Sequence, residues 1–394
     1  MATMRMCNLF VLLFSFSQIL FTSAVPADAT KPTPGPNSGD PSGGQLLMGV
    51  GITADNLTSG RNPRYEQVVN KFFTVLTPGN ADSAWVYHSD TIYQYAKQKN
   101  KQLRLHTLFA KTQNTKWIGG VKPDELKKMM EALMGQVIQR YGDRAIAIDV
   151  CNEILSDQGG LDNNVWLQKL GPNWVKETYK FAAEVRNKYA KNMLLYINDF
   201  SIEGINAKSD TMLKLATDLY KAKILDAVGF QSHFEVGKLP YNASPSKLIN
   251  LRVTNNLPSR FPEKSGTFYP NRGAFDSVCR CADGFIHSSY KGLKVALTEV
   301  DVRINLNGKP QASQQDLDTQ AKDYLFIYET CRKVKGCVSV TTWGVTPGDS
   351  WIGNIVFPGF GDATLFDNNY QPTKAMQGLK SFFPQLGTGG QRRK

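Results

Sequence analysis

The chain has 394 residues, 41% of them hydrophobic, which is ample for a sizeable core and excludes a disordered polymer. Its formal net charge of +12 raises the question of a polyanionic partner. The basic residues are scattered, with a single cluster at Gln391-Arg392-Arg393-Lys394 and no nucleic-acid motif beside them, so no nucleic-acid partner is expected.

Residues 1–24 read as a secretory signal: Arg5 supplies positive charge, residues 9–21 are an apolar run, and Thr22-Ser23-Ala24 is a small-residue cleavage site. The run is short for a bilayer, so after its removal a secreted, extracellular protein with no membrane attachment is expected. Residues 25–44 contain a Pro/Gly/Ser stretch, KPTPGPNSGDPSGG, that has nothing to bury and is expected to be a disordered leader. The folded domain is expected over residues 45–384, followed by a flexible basic tail at 385–394.

From residue 46 onward short apolar runs alternate with longer amphipathic stretches. The apolar runs are 46–52, 72–77, 103–109, 145–150, 194–197, 227–230, 295–300 and 338–343. Helix-like segments between them include Pro123–Tyr141, residues 174–189, residues 209–222 and residues 314–333. Pro123 with Asp124 and Glu125 is a favourable helix opening, combining a preset φ with acids at the positive end of the dipole. Eight strands alternating with helices predict an α/β protein of the (β/α)8 TIM-barrel class, a single domain. A doubly wound open sheet is the competitor, but no Gly-rich phosphate turn follows the first run.

Five cysteines remain once Cys7 leaves with the signal. Cys151 lies inside an apolar run and is expected to be a buried free thiol. Cys331 and Cys337 flank Lys335-Gly336 closely enough to close a small loop, whereas Cys279 and Cys281 are too near for an unstrained mutual bond. No cysteine has zinc-ligand spacing with a histidine, so neither a metal nor a cofactor is expected. Asn56-Leu57-Thr58 and Asn242-Ala243-Ser244 are glycosylation sequons for a chain on a eukaryotic secretory route, the second weakened by Pro245.

Function is carried by what stands at the carboxyl ends of the strand-like runs: Asn80; His106; Asn152 and Glu153; Asn198, Asp199 and Phe200; Gln231 and His233; Glu299 and Asp301; and Trp343. A barrel places its chemistry on that face. Glu153 on the fourth strand and Glu299 on the seventh suit a retaining glycosidase, which needs two carboxyls about 5–5.5 Å apart, one as acid/base and one as nucleophile. His233 is placed to hold Glu299 ionised, and Asp301 to orient that imidazole, with Arg303 the competing partner for Asp301.

Asp149-Val-Cys-Asn-Glu153, Tyr196-Ile-Asn-Asp199, Gly229-Phe-Gln-Ser-His233, Leu297-Thr-Glu-Val-Asp301, Thr342-Trp-Gly-Val345, Asp349-Ser-Trp351 and the closing Leu365-Phe-Asp-Asn-Asn-Tyr-Gln-Pro372 together resemble the family 10 glycoside hydrolases, retaining endo-β-1,4-xylanases. The resemblance runs in order from Leu46 to about Phe383. It implies Glu153 as acid/base and Glu299 as nucleophile, with Asp301 in support. It implies Asn80, His106, Gln113, Asn152, Gln231, His233, Trp343 and Trp351 as sugar-binding residues, a Cys331–Cys337 disulfide as in fungal members, a monomer, and the plant cell-wall polysaccharide xylan as substrate. Where such proteins have Thr-Pro-Glu-Asn and then Lys-Trp, this chain has Thr77-Pro78-Gly79-Asn80 and Ala81-Asp82-Ser83. Where they have tryptophan and histidine after His-Thr-Leu, it has Ala110 and Lys111, and Phe200 replaces a tyrosine. Those changes fall on the donor side and leave two alternatives open. One is a retaining glycosidase acting on a plant glycoside such as a saponin, as tomatinases do. The other is a non-catalytic carbohydrate-binding protein.

Overall fold

The computed structural model describes residues 46–58, 62–79, 85–204, 206–239, 293–334, 336–353 and 356–386. Asn80, Asn242, Cys279 and Cys281, the leader and residues 387–394 of the basic tail lie outside them; residues 385 and 386, expected as the start of that tail, belong to a short 3-10 helix, Pro384–Leu386.

Eight parallel strands close into a barrel: β1 (Leu47–Ile52), β2 (Val75–Pro78), β3 (Gln102–Leu105), β4 (Ala145–Asn152), β5 (Leu194–Asp199), β6 (Ala227–Phe230), β7 (Lys294–Asn305) and β8 (Cys337–Trp343). Closure comes from β1, which pairs with β2 on one side and β8 on the other, Gly51 lying opposite both Thr77 and Trp343. The second apolar run differs from expectation. Residues 63–72, opened by Pro63, form a helix with Tyr65, Val68, Val69 and Phe72 on its buried side, so the strand starts only at Val75. The third run breaks after Leu105, and Phe109–Ala110 resumes as a separate short strand paired with Cys151 and Asn152.

Helices α1 (Ala54–Thr58), α2 (Pro63–Phe72), α3 (Trp85–Gln98), α4 (Pro123–Tyr141), α5 (Val165–Leu170), α6 (Trp174–Tyr189), α7 (Ala207–Lys221), α8 (Gln314–Lys333) and α9 (Lys374–Gly378) lie between or after the strands. Their apolar stripes pack on outward-facing strand residues such as Ile148, Val150, Ile197 and Val228, all fully buried. The α7 helix starts at Ala207, where Asn206 and Ser209 form a reciprocal capping box that satisfies two otherwise orphaned N–H groups. Inside the barrel, Ala147, Ala227, Ala296 and Val338 surround Tyr196; small residues on three strands make room for one ring.

Two register shifts decide which side chains reach the open end. Between Asp149 and Cys151 β4 advances two residues while β5 advances one, and between Leu297 and Val300 β7 carries one residue more than β8. An extra residue reverses the inward–outward alternation beyond it. Asn152 therefore joins Asp149 on the inner side, Cys151 turns toward Tyr179 of α6, and Glu299 faces inward although Thr298 already does.

Cys331 and Cys337 are disulfide-bonded, joining the end of α8 to the start of β8, and Cys151 is a buried free thiol. Closing so short a loop restricts the unfolded chain by about 2 kcal/mol in the chain-entropy description. Replacing both cysteines by serine should lower unfolding stability by about that amount. A denaturant midpoint identical to the parent's would show that the bond contributes nothing.

Candidate active site

The open end of the barrel is organised by one side chain. Asn198, fully buried at the end of β5, donates from Nδ2 to Asn152 Oδ1 at 2.8 Å and to Glu299 Oε1 at 2.9 Å, and accepts from Thr298 Oγ1 at 2.6 Å. Gly229 makes this possible, since a Cβ there would sit 2.4 Å from Asn198 Oδ1. Gln231 continues the chain of contacts, its Nε2 donating to Glu153 Oε1 at 2.9 Å and more weakly to Asn152 Oδ1 at 3.5 Å. The two glutamates are thus joined through Gln231, Asn152 and Asn198. Their backbones are tied in the same way, Glu153 N–H to Asn198 O and Glu299 N–H to Gln231 O, both at 2.9 Å.

Glu299 is 5% exposed, and its surroundings are basic. His233 Nε2 lies 3.5 Å from Oε2 and His106 Nε2 lies 3.9 Å from Oε1. Burial alone would raise this carboxyl; the pull of His106, the hydrogen bond and charge of His233, and the charge of Arg104 outweigh it and bring it down to about 2. His233 Nδ1 donates to Asp301 Oδ2 at 2.8 Å, and Trp351 Nε1 donates to the same oxygen at 2.7 Å. Burial would push the imidazole down, but the charge of Asp301 and its hydrogen bond, joined by Glu299, push it up to about 10. Asp301 is wholly buried, and Arg303 is not its partner: that guanidinium lies 3.6 Å from Glu235 and stacks over Phe357.

Below these groups lies an ion cluster that composition and spacing did not reveal. Arg104, 2% exposed, donates from Nη1 to Asp149 Oδ2 at 2.7 Å and from Nη2 to Thr298 O at 2.9 Å. The same Asp149 oxygen is 2.6 Å from His106 Nδ1, so Arg104 and Asp149 fix the imidazole beneath Glu299. In sequence Asp149 and Arg104 are single charges inside apolar runs, and that isolation is the one signal available. Trp343 packs edge-on against His106 at 5.5 Å, and Gly51 leaves room for its ring. Trp351 lies against His233 at 4.7 Å.

Glu153 is half-buried, with φ at 58°, so the chain turns sharply as β4 ends. Beside it Asp199 is wholly buried and paired at 2.9 Å with Lys208, which is 1% exposed. Lys111 N–H donates to Asn152 O, and its ammonium pairs with Asp162 at 2.8 Å. Gln113 is exposed, and among the described residues no hydrogen bond joins it to the carboxylates. Of the expected sugar-binding residues, then, His106, Asn152, Gln231, His233, Trp343 and Trp351 gather around the glutamates, Gln113 stands apart, and Asn80 lies outside the described residues. Asn56 of the first sequon is exposed on α1. No group of metal-ligating side chains occurs among the described residues, and no described helix is long and apolar enough to cross a membrane.

A closed parallel barrel with two carboxyls at the ends of β4 and β7, one of them held ionised, defines a barrel-borne glycoside hydrolase. Residues 42–257 and 282–382 match the sequence model of Glycosyl hydrolase family 10, and the chain belongs to that family. It is 28% identical over 344 residues to an endo-1,4-beta-xylanase of Agaricus bisporus, covering 84% of this chain and 89% of that one. It is 30% identical over 283 residues to endo-1,4-beta-xylanase A of Fusarium oxysporum f. sp. lycopersici, 70% of this chain and 74% of the relative. Among solved structures, the glycosylated endo-beta-1,4-xylanase of Gloeophyllum trabeum superposes with a TM-score of 0.69 at 26% identity, over 87% of this chain and 97% of that chain.

Two outcomes are expected. Arg104→Met removes the guanidinium from the buried Asp149 and leaves His106 on that oxygen; losing a hydrogen bond to a buried charge should cost about 1.5–3 kcal/mol of stability, read from denaturant unfolding, and an unchanged midpoint would mean the guanidinium does not hold the cluster together. For His233, the folded form holds its proton up to about 10 while the unfolded form releases it near the ordinary 6.5. The stability this supplies is complete below 6.5 and disappears as pH rises toward 10. His233→Asn should show a shallower decline than the parent across that window, and parallel curves would contradict the ion-pair assignment.

Proposed function

We propose that this protein is a secreted endo-1,4-β-xylanase that hydrolyses β-1,4-xylan with retention of configuration by double displacement. Glu153 acts as acid/base and Glu299 as nucleophile. The observation that carries the reading is the contrast between the two carboxyls. Glu299 is buried yet held near 2 by two histidines, so it stands ionised for attack. Glu153 is half-buried, and the described contacts of its carboxyl are with an amide donor, Gln231, and no cation. A retaining site divides its roles in that manner, an ionised nucleophile facing a second carboxyl whose described partner is neutral.

In the first step the protonated Glu153 gives its proton to the glycosidic oxygen while a Glu299 oxygen attacks the anomeric carbon, giving a glycosyl-enzyme ester. In the second, Glu153 as base takes a proton from water, which displaces Glu299 and restores both groups. With Asn152 Oδ1 taken by Asn198 and Gln231, the Asn152 Nδ2–H is the group that donates to the sugar hydroxyl next to the reacting carbon. Trp343 and Trp351, each only partly buried, offer ring faces to sugar rings. The xylanase relatives support xylan as the substrate, and the signal-like first residues together with the disulfide support passage through an oxidising secretory route.

Glu299→Ala should lose activity by at least about three orders of magnitude while remaining folded, and azide should rescue activated aryl glycosides to a glycosyl azide of inverted configuration. Glu153→Ala should lose about 10²–10⁴-fold on substrates with poor leaving groups and far less on activated ones. A parent-like rate in the first variant, or equal losses on both substrate types in the second, would remove the assigned role. Xylan digestion by the parent should release xylo-oligosaccharides; an untouched polymer alongside hydrolysed aryl glycosides would remove xylan as substrate and leave the reaction type.

A further inference from the structure

A buried lysine stands beside the site and no step of the reaction uses it. Lys208 is 1% exposed, and taking an ammonium out of water costs several kcal/mol unless its contacts restore that energy. Its Nζ lies 2.9 Å from Asp199 Oδ1, 3.4 Å from the half-exposed Asp157, and 3.3 Å from the centre of the Phe200 ring, whose negative face receives the charge. Asp199 is wholly buried and meets donors at both oxygens: Oδ1 accepts from Lys208 and from Phe200 N–H at 2.9 Å, Oδ2 from Leu155 N–H at 3.2 Å. Such a cage fits an ionised carboxylate, because a proton on it would face a donor.

Those bonds lead to Glu153. Leu155 is two residues beyond it, and Glu153 N–H is bonded to Asn198, the residue before Asp199. The turn that carries Glu153 at φ 58° is therefore hung on consecutive residues of β5. We propose that Lys208 is a positioning residue for the acid/base: by pairing with Asp199 it keeps that carboxylate charged, and the charged carboxylate holds the Leu155 end of the turn so that Glu153 stays aimed at the glycosidic oxygen. The proposal rests on Glu153 being the acid/base.

Burial lifts Asp199 to about 7 even against the pull of Lys208, so with the lysine the carboxyl is ionised above that value, and without it the carboxyl is pushed higher and keeps its proton there. Other charges acting on the pair are Glu153 and Lys111 on Asp199, and Asp157 and Glu203 on Lys208. None of the described acids there can hold Asp199 ionised, and Lys111 is committed to Asp162.

The test is a leaving-group series at about pH 8, where the parent Asp199 is ionised, using aryl β-xylobiosides from dinitrophenyl to unsubstituted phenyl, on the parent, Glu153→Ala, Lys208→Met and the double variant Lys208→Met/Asp199→Leu, whose residue 199 has no acceptor for Leu155 N–H. The double variant leaves no unpaired buried charge and should remain folded where the single one is destabilised. Misplacing the proton donor should slow the phenyl glycoside by about 10²-fold in kcat/KM, change the dinitrophenyl glycoside by no more than a few-fold, and leave KM near the parent's. Both lysine variants should behave so. A uniform loss across the series, or a double variant with parent-like rates, would overturn the positioning role and reduce the pair to packing, provided Glu153→Ala shows the leaving-group dependence. If Glu153→Ala shows none, the acid/base assignment fails and this proposal falls with it.

Discussion

The site depends on a single amide. Asn198 has two N–H donors and one carbonyl oxygen, and all are committed, to Asn152, Glu299 and Thr298. Because an amide has fixed donor and acceptor ends, it sets the distance and the relative orientation of groups on β4 and β7 that no backbone bond connects directly. Buried networks of this kind gain rigidity when every member is satisfied and lose heavily when one is not. The absence of a side chain at Gly229 is part of the same constraint, since the amide occupies the space a Cβ would take.

Charge is distributed around this amide in layers. Arg104 and Asp149 are buried under the site and hold His106; His233 and Asp301 close it from the side; Lys208 and Asp199 stand behind Glu153. In each case a cation or imidazole is fixed by a carboxylate that no described contact brings to the centre of the site. The nucleophile's low value and the imidazole's high one are two views of one arrangement, in which a buried negative charge is tolerated because positive charge was buried first.

Much of this was legible in the chain. Alternating apolar runs and helical stretches specified a barrel, and polar residues at the run ends specified which face would be chemical, with Glu153, Glu299, Asn152, Gln231, His233 and Asp301 among them. The register shifts were not legible. Period-two reasoning places Cys151 rather than Asn152 on Asp149's face, and excludes Thr298 and Glu299 from sharing one; only the pairing of β4 with β5 and of β7 with β8 shows the extra residue. Arg104 and Lys208 were missed for another reason. A lone cation in an apolar run or at a helix start reads as solvated, and its burial becomes intelligible only when a carboxylate distant in sequence is brought against it. The apolar run at 72–77 began too early because Phe72, the last residue of the helix Pro63–Phe72, and Phe73 after it lead directly into the strand that starts at Val75.

The seat of Trp343 links the first strand to the last. Gly51 has no Cβ, and one placed there would lie 2.6 Å from the indole. Positions 51 and 343 are therefore sterically coupled. A larger residue on β1 is admissible only alongside a smaller side chain on β8, so a library that varies position 51 alone samples mostly clashes and one that varies position 343 alone opens a void, whereas paired variation can reshape that wall of the cleft.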